Sequence, residues 1–185
     1  LKLRNPAERL GKRRESADPQ AQFLWAIFRD VFHDTAFHLA DIADNARDID
    51  FAMRWGFGQK LGPFETWQAA GWKQVAGWVK EDIDAGKALC AAPLPAWVFD
   101  GRNGVHGADG SWSPARKTNV PRSTLAVYAR QPFRAPVLGE GAADGSKAGT
   151  TVFEDDSVRI WHQGDEVLVF SIKTKMHAIG AGVID

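Results

Sequence analysis

Apolar positions recur at three- and four-residue steps from Phe23 onward, through Leu24, Ile27, Phe28, Val31, Thr35, Leu39 and Ile42. That spacing is the signature of one helix face. Asp18-Pro19 just ahead supplies a capping carboxylate and then a proline, whose missing N–H costs nothing in a first turn. Trp25, Phe32, Phe37 and Ala40 fall outside the stripe, so most of the circumference is apolar. A helix of that kind belongs in a domain centre or at a subunit interface.

A second helix is expected from the Asn45 cap, with Ile49, Ala52 and Met53 on one face and a stop at Gly56. Pro63 opens a third that runs to Gly71. Trp72 to Ala85 makes a fourth, with Trp72, Val75, Ala76, Val79 and Ile83 together, and a short one spans Pro95 to Phe99. Helix after helix on short Gly and Pro turns predicts an all-α bundle. The pattern then changes. Asp109-Gly110, between Val105-His106 and Ser111-Trp112, reads as a hairpin turn near 105–112. Residues 123–135 read as a strand or a linker, and the Gly- and Ala-rich stretch around 139–150 as a flexible joint. Strands follow at Ser157–His162 and Glu166–Ile172, separated by Gln163-Gly164-Asp165. The opening stretch Lys2–Glu15 carries Lys2, Arg4, Arg9, Lys12, Arg13 and Arg14 without sustained periodicity, and is expected to be a solvated linker. The organisation expected is therefore a basic linker over 1–17, a helical domain over 18–138, a flexible linker over 139–156, and a β-rich tail over 157–185.

Composition changes little. The 185 residues carry 23 basic and 23 acidic side chains, and a net charge of zero speaks against a nucleic-acid partner, which phosphate neutralisation would require to be basic. One cysteine, Cys90, excludes an intrachain disulfide framework and a multi-cysteine metal site. No apolar run approaches the roughly 18 residues of a membrane span, and Leu1-Lys2-Leu3-Arg4 is no signal peptide, so a cytoplasmic setting is expected. Leu1 at the start and Gly182-Val183-Ile184-Asp185 at the end suggest that both ends are cuts.

Candidate chemistry is sparse. GxGxxG, P-loop and GxSxG motifs are absent. His33 and His38 are five apart and lack the spacing of a helical zinc pair, so no metal is expected there. His38 and Asp41 suit an i,i+3 hydrogen-bonded pair, conceivable in acid–base work. Asp41, Asp44, Asp48 and Asp50 alternate with Asn45 and Arg47 in a way that suggests capping and solvation. His106, His162 and His177 have no recognisable partners in the sequence.

Two stretches carry a family resemblance. The segment Asp48-Ile-Asp50-Phe-Ala-Met-Arg54-Trp-Gly-Phe-Gly58-Gln-Lys-Leu-Gly-Pro-Phe64-Glu-Thr-Trp-Gln-Ala-Ala-Gly71 is similar to the "D-I-D-x-A-M…G-P-F-E-L" segment of the C-terminal helical domain of 3-hydroxyacyl-CoA dehydrogenases. Thr66-Trp67 stands where the family often has Leu and a second residue. The segment Val167-Leu-Val-Phe-Ser-Ile-Lys-Thr-Lys175-Met-His-Ala178-Ile-Gly resembles the opening of the crotonase fold, where a strand leads into "K-x-N-A-[IL]"; His177 replaces the asparagine. The order, about 100 residues apart, suits the subgroup with dehydrogenase first and enoyl-CoA hydratase last.

The resemblance implies a mainly α fold, a dehydrogenase-type helical bundle whose tail begins a truncated crotonase-like domain. It implies a parent that oxidises (3S)-3-hydroxyacyl-CoA with NAD in fatty-acid β-oxidation, the NAD being bound by a domain absent from this chain. No catalytic residue falls in the chain, which is expected to be inactive alone and to need no cofactor of its own. Leu61, Gly62 and Pro63 match the cleft-facing segment and would touch the acyl-CoA; Lys175 and Ala178 match a region near the CoA nucleotide. The helical piece would supply the cleft wall and the interface of a homodimer. Two other readings stand beside it: a non-catalytic helical interaction module, and a small enzyme using His38 and Asp41.

Overall fold

The computed structural model describes residues 5–129, 135–140, 149–164 and 166–184, and these form two units. The first spans the chain to Thr124 and resumes at Ala135–Ala142; the second takes Leu125–Arg134 and Ala143–Asp185.

The first unit begins with α1 (Pro6–Glu15), in a stretch expected to be linker. Asn5 caps it, accepting from the Ala7 amide at 2.9 Å, Pro6 stands in the first turn, and Lys12, Arg13 and Arg14 crowd the C-terminal turn, where the helix dipole favours cations. Its one buried side chain is Leu10, at 2% exposure. The arginines do the rest of the packing: Arg13 lies 5.4 Å over Phe28 and Arg14 5.5 Å over Trp78. Cationic side chains that pack through their stems leave no apolar stripe for periodicity to detect.

Helix α2 (Pro19–Ile42) starts at its Asp18 cap, but a different arc faces inward. Trp25, Phe32, Ala36 and Leu39 are buried, while Phe23 is 67% exposed and Leu24, Ile27 and Ile42 are also exposed. Because the helix is apolar nearly all round, the choice of arc falls to α1, α4 and α5, which pack against it. α3 (Ala46–Phe57) ends at Gly58, whose φ of 66° is the left-handed cap that glycine tolerates. α4 (Pro63–Ala69) and α5 (Trp72–Asp84) follow, then a 3₁₀ turn at Ala96–Phe99.

Tryptophans form the spine of this core. Trp67 stacks on Phe32 at 5.4 Å and on Trp72 at 4.2 Å, and Trp72 on Trp97 at 6.1 Å. Three buried indole N–H groups find acceptors: Trp67 donates to the Trp72 carbonyl, Trp72 to the Val98 carbonyl, and Trp25 to Asp82. The unit closes with β1 (His106–Gly107), β2 (Gly110–Ser113) and β3 (Thr118–Val120), an antiparallel sheet in the order β1-β2-β3. His106 pairs with Ser111 and Gly107 with Gly110, which puts Ala108-Asp109, rather than Asp109-Gly110, in the turn.

The second unit holds the four-residue helix α6 (Ala126–Ala129), in the stretch read as strand or linker, of which 130–134 lie outside the described residues. Its sheet is β4 (Thr150–Glu154), β5 (Val158–His162) and β6 (Val169–Ile172), all antiparallel. β4 corrects the expectation of a linker through residue 156; residues 141–148 of that stretch lie outside the described residues, as does Asp165 of the expected β5–β6 turn. Asp155 organises the β4–β5 turn by accepting from the Ser157 and Val158 amides, both at 2.7 Å. Trp161 is fully buried against the sheet and donates to Ser171. A 3₁₀ turn at Lys175–His177 and α7 (Ala181–Ile184) follow.

The architecture is thus mixed, α-helices plus two three-stranded antiparallel sheets, which agrees in part with the mainly α fold expected.

Candidate functional site

The bend between α3 and α4 holds Leu61, Gly62 and Pro63. Gly62 and Pro63 are buried and Leu61 is half-buried. A helix that starts at Gly62 has no side chain of its own to cap it, and two buried carboxylates take over. Asp50 Oδ1 accepts from the Phe64 amide and Oδ2 from the Glu65 amide, both at 2.9 Å. Glu65 Oε2 accepts from the Gly62 amide at 2.9 Å, and Pro63 has no N–H. Every donor in the first turn of α4 is therefore committed, and this helix end offers none to an anion. Asp50 approaches so closely that a Cβ on Gly62 would lie 2.3 Å from its Oδ1.

Asp50 was expected among solvated and capping acids. It is instead fully buried, at 0% exposure. α3 places Arg47, Asp50 and Arg54 at three- and four-residue steps, so all three project from one face. The hairpin after residue 104 brings in the partner missing from the sequence: His106 Nε2 lies 2.7 Å from Asp50 Oδ2, and His106 Nδ1 lies 2.8 Å from Ser111 Oγ. Ser111 donates to Glu140, whose two oxygens also receive Arg47 Nη1 at 2.6 Å and Arg122 Nε at 2.7 Å. Glu65 Oε1 accepts from the Leu138 amide at 3.0 Å, and Arg54 donates to the Pro136 carbonyl at 2.6 Å. Gln68 clasps the hairpin, accepting from the Val105 and His106 amides and donating to the His106 carbonyl.

The charges settle accordingly. Burial works to raise the Glu140 carboxyl, but the Ser111 hydroxyl, Arg122 and Arg47 outweigh it and hold it below the usual range. Burial pushes the Asp50 carboxyl up, against the pull of His106 and the Phe64 amide. An ionised Glu140 accepts the Ser111 O–H hydrogen bond, so Ser111 Oγ must accept from His106 Nδ1–H. One further proton then lies between His106 Nε2 and Asp50. The order acid–histidine–serine has the connectivity of a hydrolytic triad, but the proton runs the wrong way. Ser111 donates its hydrogen bond to Glu140 and not to the imidazole, and it is 0% exposed. The cluster is a lock, not a nucleophile.

The other candidate residues stay apart. His38 lies 3.8 Å from Asp41 and 3.8 Å from Asp34, all exposed enough for water to compete, and too far for a hydrogen bond. His33 and His38 each meet the ring of Phe37. Among the described residues no cluster of His, Cys, Asp and Glu could hold a metal ion, and no helix is long and apolar enough to cross a membrane. Lys175 and Ala178 are exposed at the 3₁₀ turn of the second unit. His177 there has φ 54°, a left-handed conformation that asparagine and histidine both adopt more readily than most residues.

Comparison with known proteins adds a region of similarity. Over 82 residues the chain is 43% identical to a probable 3-hydroxyacyl-CoA dehydrogenase of Bacillus subtilis (strain 168), a match covering 38% of this chain and 10% of that protein. The similarity is to a dehydrogenase. It supports a relation to the 3-hydroxyacyl-CoA dehydrogenase family over that region. The chain spans about a tenth of the length of this curated relative. No family model and no solved structure matches the chain.

Sequence reasoning found the Gly62-Pro63 start of α4 but missed His106, Ser111, Glu65, Arg47, Arg122 and Glu140 as one network. An unusual density of charge on α3 was the available signal; its partners lie up to 93 positions away.

Proposed function

We propose that this chain is a piece of an NAD-dependent 3-hydroxyacyl-CoA dehydrogenase of fatty-acid β-oxidation, whose parent oxidises (3S)-3-hydroxyacyl-CoA to 3-oxoacyl-CoA. The 43% identity over 82 residues to a protein of that name carries the proposal. The resemblance of Asp48–Gly71 to the dehydrogenase motif adds support, because Asp50, Gly62, Pro63 and Glu65 of that stretch form one buried arrangement. In this reading Leu61, Gly62 and Pro63 line the acyl-CoA cleft. Exposed Phe23, Leu24, Ile27 and Ile42 on α2 belong to a homodimer interface. The second unit is the start of a crotonase-like hydratase domain, with Lys175 and Ala178 toward the CoA nucleotide.

The described residues do not fit NAD. Dinucleotide sites use a parallel βαβ unit with a glycine-rich turn, and both sheets here are antiparallel. NAD is assigned to another domain of the parent, and no chemical step is assigned to this chain.

NAD⁺-dependent oxidation of a 3-hydroxyacyl-CoA by the full-length protein, compared with this chain alone, tests the proposal. Activity in the first and none in the second is expected. An inactive full-length protein would leave the second reading, a helical interaction module, which the exposed apolar residues of α2 also favour.

A further inference from the structure

The three residues assigned to the cleft are unequal. Gly62 and Pro63 are buried, so Leu61 alone has a partly accessible side chain. Its position depends on the bend that follows, where the backbone from Gly62 to Glu65 hangs on two carboxylates. Glu65 reaches back to the Gly62 amide within its own helix. Asp50 comes from a different helix, 14 residues earlier, and binds the next two amides. His106 arrives from the hairpin and holds Asp50 Oδ2 from the far side at 2.7 Å. A Cβ at residue 62 would collide with Asp50, so the bend is seated directly on that carboxylate.

We infer that Asp50 is a positioning residue of the dehydrogenase: clamped by His106, its carboxylate sets the Gly62–Glu65 bend and thereby the placement of Leu61 against the acyl chain of the substrate. This rests on the dehydrogenase reading above. The bend has no free N–H in the first turn of α4, so the segment meets its ligand through the Leu61 side chain. That suits a hydrocarbon chain and not the phosphates of CoA.

The test uses the full-length protein with NAD⁺ and two 3-hydroxyacyl-CoA substrates, one short and one long. Asp50→Asn keeps the shape but replaces one accepting oxygen with a donor, which cannot serve an amide N–H. The KM for the long substrate is expected to rise roughly tenfold with kcat changed less than twofold, as displacement of Leu61 from the acyl chain with the reacting groups untouched predicts. Val79→Ala, in the core and away from the bend, is the control for stability and should leave KM alone at temperatures well below both unfolding midpoints. An unchanged KM in Asp50→Asn, or an equal rise in Val79→Ala, overturns the inference and leaves the dehydrogenase reading standing. A wild-type protein without activity overturns that reading and this role together. If Asp50→Asn does not fold, Gly62→Ala displaces the same bend with the carboxylate intact. It should raise KM in the same way, and an unaltered KM there also overturns the inference.

Discussion

Asp50 and His106 stand 56 positions apart in the chain and meet at 2.7 Å with neither side chain exposed to solvent. This contact, with the Gln68 clasp, fastens the β1–β2 hairpin to the α3–α4 corner. Removing one member of a buried hydrogen-bonded pair leaves the other unsatisfied, which typically costs about 1–3 kcal/mol. His106→Ala should therefore lower the urea midpoint by an amount corresponding to a loss in that range. A loss under about 1 kcal/mol would mean that water replaces the imidazole without penalty.

Gly62→Ala should destabilise the protein by about 1–3 kcal/mol, the usual cost of forcing a methyl group into filled space. Gly62 has φ −72°, so the backbone is ordinary and the whole effect is steric, arising at Asp50. The Asp50 Cα and Cβ, each 2.4 Å from the added methyl, remain in Asp50→Ala, so Gly62→Ala should cost about as much in that background as in the wild type. A cost that vanishes there would place the whole clash at the carboxylate oxygen.

Acid should loosen the lock through Glu140. Its folded pKa is depressed, so its contribution is present above the ordinary value of 4.5 and is lost as pH falls through the lower folded value. Asp50 has the opposite sign. Its folded pKa is raised above 3.8, so the contribution favours the fold at low pH and is lost as pH rises through the folded value. Glu140→Gln should flatten the acid limb of a stability–pH curve, and Asp50→Asn should steepen it. Thermal unfolding between pH 3 and 7 reads both, and the same slope change in the two variants would contradict the assignment.

Trp25→Phe keeps most of the apolar volume but removes the donor to Asp82 at 2.7 Å. Asp82 retains Arg29 and Arg14 at 3.5 Å and 3.9 Å, so the loss should be moderate, about 1–2 kcal/mol. A neutral effect would show that the two arginines satisfy the carboxylate unaided.

The α2 face supplies a prediction about assembly. Ile27→Glu puts a charge among exposed apolar side chains without touching the buried arc. A dimer by light scattering at tens of micromolar that becomes monomeric in the variant is the expected result. A wild-type monomer would count against the homodimer.

Local signals were legible where the physics is local. Asp18-Pro19, Asn45 and Pro63 announce helix starts because capping and a fixed φ are properties of a few neighbouring residues, whereas the end of α3, expected at Gly56, falls at the left-handed Gly58. β-Branched and aromatic content likewise pointed to strands at Ser157–His162 and Glu166–Ile172, which form over Val158–His162 and Val169–Ile172. α1 escaped because its packing runs through arginine stems, and β4 because Thr150–Glu154 is exposed along its whole length and its neighbour alone defines it as a strand.

By itself the sequence determined the succession of helices, the Gly62-Pro63 start of α4 and the similarity to a dehydrogenase segment. Only the tertiary structure decided which arc of α2 lies inside, because a helix apolar on most sides has no preferred face until α1, α4 and α5 cover one. It also turned Asp50 from a surface acid into the seat of the α3–α4 bend. That required His106, Ser111 and Glu140 from distant parts of the chain, and a carboxylate's environment is set by what surrounds it in space rather than by its neighbours in sequence.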